Sequence, residues 1–171
     1  MAKVSRLLVV DASVLRGAGE KAGHSSHCTQ VLNTVLEICH RAVFCSEIQT
    51  EWNTHQSRMA VKWRAAMNAR KKLVRIDIQT HSKRVAARVS GCLQATAAQR
   101  AALAKDVHLL AAAAHSDRIV VTGDHALKDL CDLHLDEAIE WILVLPDETA
   151  CVKRTTIDRL FELSNSRTSL K

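Results

Sequence analysis

The chain has 171 residues, of which 47% are apolar, and its net charge at pH 7 is +6. This length is typical of one domain around one core, and five Gly and one Pro are too few for an all-β or a disordered chain. The longest apolar runs fall well short of the roughly 20 residues that cross a bilayer. We therefore expect a helix-rich cytoplasmic protein without a membrane partner or a secretory signal.

The positive charge is concentrated in the middle third of the chain. Twelve Lys or Arg residues lie between Trp52 and Lys105, where Asp77 is the only acid, and the two flanks together are net acidic. A solvated helix face would normally mix Glu with Lys, so this basic block favours a polyanion such as RNA as partner over the simpler solvated-face alternative. The candidate nucleic-acid contacts are Arg58, Lys62, Arg70, Lys71, Lys72, Arg84 and Arg88.

The first third of the chain predicts an alternation of strand and helix. The apolar run LLVV, which ends at Asp11, is typical of a strand covered on both faces. A loop over residues 16 to 27 is followed by apolar residues at helical spacing, which predict a helix over 29 to 41. A second short buried strand is expected over 42 to 46.

The basic block itself predicts mostly helix. Ser46 and Gln49 resemble a capping box, which predicts one long helix over residues 47 to 72. Alternating residues over 73 to 78 indicate a short strand or an extended link. Residues 80 to 103 form a helical region without a clear pattern.

The last third continues the alternation, which predicts an α/β fold with a central parallel sheet of four or five strands. We expect a single domain over residues 1 to 163 and a flexible tail over 164 to 171. The predicted elements are a helix over 105 to 116, a strand over 118 to 123, a helix over 124 to 133, a strand over 139 to 145 and a helix over 147 to 163.

Four acids stand at boundaries of these elements. Asp11 and Asp124 follow buried strands, whereas Glu51 and Asp106 begin helices. Ligands of parallel sheets collect at the carboxyl ends of the strands, so these acids are expected to share one pocket. Carboxylates crowded together oppose one another's ionisation, and a divalent cation with oxygen ligands, Mg²⁺ or Mn²⁺, removes that conflict.

Four segments that contain these acids resemble the PIN-domain family of metal-dependent ribonucleases, which includes VapC-like toxins of bacterial toxin-antitoxin pairs. They are VVDASVL, FCSEIQTEW, KDVHLLAAAA and VVTGDHAL, and they occur in the family's order. The resemblance implies a three-layer α/β/α fold and catalytic, metal-binding carboxylates at Asp11, Glu51, Asp106 and Asp124. It also implies that Ser13 and Thr122 support the metal pocket.

Each acid has an alternative role. Asp11, Asp106 and Asp124 could act only at helix N-termini, where carboxylates are favoured by the free N–H groups and the helix dipole. Glu47 competes with Glu51 because the two residues lie four apart on one helix face. The resemblance favours Glu51.

The sequence therefore predicts an endoribonuclease that hydrolyses RNA phosphodiester bonds with Mg²⁺ or Mn²⁺. The resemblance adds a toxin role, an antitoxin or other protein partner, and a homodimer. Residues 79 to 104 match no motif of the family, which motivates a non-catalytic PIN-like RNA-binding or assembly module as the alternative. A related phosphodiesterase, such as a DNA flap nuclease, is a third.

Overall fold

The computed structural model describes residues 4–19, 24–135, 137–144 and 150–165 and has a central sheet of five parallel strands in the order β3-β2-β1-β4-β5. Helices flank this sheet, as the predicted α/β fold requires, and the arrangement is consistent with three α/β/α layers. The strands are β1 (Leu7–Val10), β2 (Arg41–Phe44), β3 (Leu73–Arg75), β4 (Ile119–Thr122) and β5 (Glu140–Leu143).

Nine helices occur in the described residues. They are α1 (Ala12–Gly17), α2 (His24–Glu37), α3 (Ser46–His55), α4 (Arg58–Ala69), α5 (Gln79–Gly91), α6 (Ala97–Lys105), α7 (Val107–His115), α8 (His125–His134) and α9 (Ala150–Asn165). Within this part of the chain, no helix is both long enough and apolar enough to cross a bilayer.

The centre of the sheet is also the point at which the strand order reverses. The chain runs outward from β1 through β2 to β3, and then returns to place β4 on the other side of β1. Val10 of β1 is paired with Val121 of β4, so the residues that follow them, Asp11 and Thr122, emerge side by side. Such a reversal in a parallel sheet leaves a crevice at the carboxyl edge.

The central strands are apolar because both of their faces are covered. Leu8, Val9 and Val10 are fully buried, and so are Val120 and Val121. Strands of this kind read as continuous apolar runs, which is why the sequence identified them well.

The prediction of one long helix over residues 47 to 72 is wrong, because the structure divides this segment after His55 into α3 and α4. Gln56 and Ser57 have extended backbone conformations, and the Ser57 hydroxyl accepts a hydrogen bond from Ala60 N–H at the start of α4. Ser57 N–H in turn donates to the Leu15 carbonyl. A serine cap and a tertiary bond therefore outweigh the continuing apolar periodicity.

The capping box predicted at Ser46 and Gln49 is also wrong. Cys45 occupies the N-cap position and makes no side-chain cap bond, while the Ser46 hydroxyl donates to the Glu47 carboxylate 2.7 Å away. Ser46 is therefore the first residue of α3 rather than its cap, and its hydroxyl is hydrogen-bonded to the neighbouring carboxylate.

The helical region predicted over residues 80 to 103 consists of two helices, α5 and α6. A capping box begins α6, where the Thr96 hydroxyl accepts from Gln99 N–H and the Gln99 side chain accepts from Thr96 N–H. Arg100 holds the preceding turn by donating to the Cys92 and Ala95 carbonyls. The weakly predicted strand before this region is present as the three residues of β3.

Three further boundaries differ from the prediction. The loop expected over residues 16 to 27 is shorter, because α1 extends to Gly17 and α2 begins at His24. Helix α9 continues to Asn165, two residues into the expected tail, and Ser164 is buried and accepts a backbone bond from Val4 N–H. The remainder of that tail, residues 166 to 171, lies outside the described residues.

Trp52 links α3 to the central strand and gives a test of the packing. Its indole N–H donates to the Val10 carbonyl at 2.9 Å, and the side chain is 1% exposed. Trp52→Phe keeps an aromatic ring but removes this bond, so the free energy of unfolding should fall by about 2 kcal/mol. Trp141→Phe is the matched control, since the buried Trp141 indole N–H has no partner in the described structure.

Urea denaturation of the two variants measures this difference. We expect Trp141→Phe to lower the free energy of unfolding clearly less than Trp52→Phe does, because it leaves no acceptor without its donor. An equal decrease of this free energy in the two variants would show that ring volume, rather than the hydrogen bond to β1, determines the loss of stability.

Candidate active site at the carboxyl edge of the sheet

Asp11 is held at the end of β1 by two hydroxyl groups. Ser13 Oγ and Thr122 Oγ1 both donate to Asp11 Oδ2, at 2.5 and 2.6 Å. In the described structure Asp11 Oδ1 accepts no hydrogen bond, and the side chain makes no cap bond to α1 although Asp11 occupies its N-cap position. The simple capping alternative for Asp11 therefore does not account for its contacts.

The same two hydroxyls accept hydrogen bonds from the turn after β4. Gly123 N–H donates to Ser13 Oγ, and Asp124 N–H donates to Thr122 Oγ1, each at 2.9 Å. The two hydroxyls thus link the end of β1 to the turn after β4. Ser13 and Thr122, the residues predicted to support a metal pocket, both contact Asp11, and Thr122 is completely buried.

Gly123 is required by close packing rather than by an unusual backbone angle. A Cβ atom at this position would lie 3.3 Å from Ser13 Oγ and 3.3 Å from the Val144 carbonyl oxygen. A larger residue would therefore push on the hydroxyl that orients Asp11.

Asp124 has two roles in the structure. Its Oδ1 accepts from Leu127 N–H at 3.1 Å, so it caps α8, which is the alternative that the sequence left open. It also lines the pocket described below, and its side chain is exposed. The capping bond fixes the carboxylate toward the crevice, so the two roles are compatible.

Asp106 lies at the junction of α6 and α7 and makes no side-chain cap bond there. Its pKa is raised from 3.8 to about 6, chiefly by burial and in addition by the neighbouring carboxylates of Asp11, Asp124 and Glu51, while His108 lowers it. Repulsion among like charges is the expected result of crowding acids in one crevice. The simple helix-dipole alternative does not explain this raised pKa, because a helix N-terminus favours the charged form.

Glu51 projects from α3 toward α7. Its Oε2 lies 2.9 Å from His108 Nε2, an ion-pair distance without the alignment of a hydrogen bond. Glu47, the competing acid, is exposed and accepts from the Ser46 hydroxyl, which is the main reason that its pKa is lowered. Of these two acids, only Glu51 lines the pocket.

The four predicted acids line one open pocket of about 410 Å³. Ser13 and Gly123 form part of its wall, and three residues that the sequence did not single out as site residues, Arg16, His55 and His125, complete its rim. Arg16 lies in the last turn of α1, where the sequence predicted the start of a loop. A helix beginning after Asp11, the alternative weighed for that residue, was the pattern that could have placed it.

The donor chemistry of this pocket fits a hard divalent cation. Four carboxylates from four separate segments provide oxygen ligands of the type that Mg²⁺ and Mn²⁺ prefer. The pKa of Asp106 is raised by burial first and by three neighbouring carboxylates in addition, and a bound cation would oppose both effects. Among the described residues, however, no three Asp, Glu, His or Cys side chains are close enough to form a ready-made metal group. Side-chain rotation in the open pocket would be needed to bring the oxygens together.

Six of the seven basic residues predicted to contact nucleic acid are exposed, namely Arg58, Lys62, Arg70, Lys71, Arg84 and Arg88. Lys72 is partly buried and donates to the Val35 and Leu36 carbonyls at the end of α2. Two of the exposed residues also make internal contacts: Arg70 donates to the Leu36 carbonyl, and Arg88 contacts Glu137 and the Leu135 carbonyl. Cations at helix C-termini satisfy free carbonyl groups, and this role had been overlooked.

No family model, no curated protein and no solved structure matches this chain.

The raised pKa of Asp106 predicts a pH-dependent change in stability. Because the folded-state pKa of about 6 exceeds the unfolded value of 3.8, ionised Asp106 destabilises the fold increasingly as pH rises through this interval. Asp106→Asn stays neutral, so without divalent ions it should raise the free energy of unfolding at pH 7.5 by about 1–2 kcal/mol, allowing for partial exposure. At pH 4.5 the gain should be much smaller.

Urea unfolding in EDTA at the two pH values measures this effect. Asp158→Asn, an exposed carboxylate on α9, is the matched control and should change stability little at either pH. A gain for Asp106→Asn that is the same at pH 4.5 and pH 7.5 would contradict the raised pKa of Asp106.

Proposed function

We propose that the protein is a PIN-like endoribonuclease that uses Mg²⁺ or Mn²⁺ to hydrolyse RNA phosphodiester bonds. The observation that carries the proposal is the convergence of Asp11, Glu51, Asp106 and Asp124 on one crevice at the reversal point of the sheet. These acids come from the four segments that resemble the family. Their order along the chain supports the same class.

The protein residues have separable tasks in this proposal. Asp11, fixed through Oδ2 by Ser13 and Thr122, keeps Oδ1 available for a ligand, and Glu51, Asp106 and Asp124 supply the remaining carboxylate oxygens. A divalent cation held by these oxygens would lower the pKa of a water molecule and offset the charge that develops on the phosphoryl group.

Arg16 is a candidate for binding the substrate phosphate. It is exposed at the rim of the acidic pocket, and in the described part of the chain its guanidinium makes no ion pair or hydrogen bond. A guanidinium suits phosphate recognition because it can donate two parallel hydrogen bonds. Exposed cations of α4 and α5, such as Lys62 and Arg84, would attract the remainder of the polyanion.

The resemblance also supports three finer proposals about the biology of the protein: a toxin role, an antitoxin or other protein partner, and a homodimer. Growth arrest on expression, relieved by a protein encoded beside it, is the observation that bears on the toxin role.

A non-catalytic RNA-binding or assembly module is the second candidate. The basic segment without a family motif supports it. Such a module would bind RNA with an affinity that falls steeply as salt rises, but it would not require a divalent ion.

Cleavage of single-stranded RNA tests the enzymatic proposal. With Mn²⁺ or Mg²⁺ present, the wild-type protein should cut RNA, and Asp11→Asn should lower kcat by at least about a hundredfold because Asp11 is the most tightly positioned carboxylate. Asp158→Asn should retain full activity. Cleavage that is equal in Asp11→Asn and wild type, or that persists in EDTA, would contradict the proposal, and metal-independent binding without cleavage would favour the second candidate.

Substitution of Arg16 tests its phosphate contact. Arg16→Ala should lower kcat/KM roughly ten- to a hundredfold, the range expected for losing a charged hydrogen bond, and Arg16→Lys should retain part of the activity. Arg41→Ala is the matched control, because Arg41 is exposed at the opposite, amino end of β2.

The affinity for Mn²⁺ distinguishes this role from simple charge compensation. If Arg16 contacts the phosphate, Arg16→Ala should bind Mn²⁺ at least as tightly as wild type and unfold at a similar temperature. If Arg16 only offsets the carboxylates, the variant should lose thermal stability in EDTA and keep its kcat/KM.

A further inference from the structure

A second cavity lies between α3, α4, the last residue of β2 and the first residue of β3. We call it the Trp52 groove. It has a volume of about 290 Å³, which is small for a drug-sized ligand but sufficient for one flat ring system. The residues that line it are Phe44, Gln49, Trp52, Arg64, Ala65, Asn68 and Leu73.

The groove has an aromatic and apolar wall. The Phe44 and Trp52 rings lie 6.1 Å apart between centroids with a tilt of 33°, and Phe44 and Leu73 are only partly buried. Val61, 49% exposed, lies one helical turn before Ala65 on the same face of α4 and extends the apolar surface outward. Apolar side chains that remain accessible in a cleft indicate a surface suited to a ligand ring.

Arg64 provides a flat cation at this wall. Its guanidinium lies over the Trp52 ring at 5.3 Å from the centroid and donates to Asn53 and Gln56, at 2.9 and 2.7 Å. These hydrogen bonds hold the plane of the Arg64 guanidinium in place. A fixed guanidinium plane is a surface on which nucleic-acid bases stack.

Two amides line the groove, and one further cation, which is not part of its lining, projects from the neighbouring strand. In the described structure, the side chains of Gln49 and Asn68 make no hydrogen bonds, so their donors and acceptors are available. Arg75 is exposed and is the register partner of Phe44 in the neighbouring parallel strand, so it projects from the same face of the sheet. Amides recognise base edges, and an adjacent Arg suits the phosphate of the same nucleotide.

We propose that the Trp52 groove binds one unstacked base of a single-stranded RNA whose phosphate lies near Arg75. The identity of the ligand rests on the proposed function. Helix α3 supports the connection, because Glu51 lines the acidic pocket and the next residue, Trp52, lines the groove. A base held here would position a neighbouring phosphodiester at the carboxylates, and a duplex could not enter because its bases are stacked.

Binding in EDTA tests the groove separately from catalysis. The probes are a fluorescent single-stranded oligoribonucleotide, the same chain without its bases, and an RNA duplex. Wild type should bind the base-containing single strand about tenfold more tightly than the abasic chain. Asn68→Ala, and Ala65→Leu, which fills the groove, should each lose most of this preference while they bind the duplex as wild type does.

Ala69→Leu is the matched control for the filling variant, since Ala69 is exposed on α4 but does not line the groove. It should keep the full preference. Circular dichroism and melting temperature identify any variant that fails to fold, in which case Gln49→Ala replaces it.

The outcomes separate this proposal from the proposed nuclease function. Base preference that Ala65→Leu and Asn68→Ala leave unchanged, or equal binding of the base-containing and abasic chains by wild type, would overturn the groove proposal whether or not the protein cleaves RNA. Loss of the preference in these variants would support the groove even for a protein that lacks nuclease activity.

Discussion

The repulsion among carboxylates at the carboxyl edge of the sheet is the constraint on which the site depends. Asp11, Glu51, Asp106 and Asp124 come from four distant segments, and the fold places them in one crevice. Nothing in the hydrophobic effect favours this arrangement, and the pKa of Asp106, which is raised by burial and further by its three carboxylate neighbours, reflects its cost. A fold that retains such a cost at a cleft has the features of a functional site rather than of a packing solution.

The topology explains why the cost can be tolerated. β1 and β4 are central, fully covered strands, so the positions of their ends are fixed by the whole core. The hydroxyls of Ser13 and Thr122 then join the two ends through Asp11 and through the N–H groups of Gly123 and Asp124. The rigid part of the site thus lies at its base. Glu51 and Asp106 approach from helix α3 and from the junction of α6 and α7, and among the described residues no ready-made metal group is formed.

The parts of this arrangement that the sequence predicted are those with a strong local pattern. Apolar runs that end in an acid identified the strands before Asp11 and Asp124, and the parallel alternation predicted that their ends would share one edge. The family resemblance, rather than periodicity, selected Glu51 over Glu47. Contacts between distant residues, such as that of Glu51 with His108, have no local pattern and could not be predicted.

The wrong predictions also arise from contacts between distant residues, which leave no local pattern in the sequence. Residues around Ser57 continue an apolar helical pattern, so one long helix was predicted where a serine cap and a tertiary bond to Leu15 divide it. The basic block was interpreted as one electrostatic surface, yet Lys72 contacts carbonyl groups at the end of α2. Charge counted along a sequence gives the field of a region, but only the fold shows which cations remain available.

The central claim is that these four carboxylates hold a divalent cation. Anomalous diffraction from crystals of the protein grown with Mn²⁺ tests it most directly, because the metal is located independently of any assay of activity. The account predicts an anomalous peak in the acidic pocket, within coordination distance of Asp11 and at least one of the other three acids. Crystals soaked in millimolar Mn²⁺ that show no peak in this pocket would contradict it.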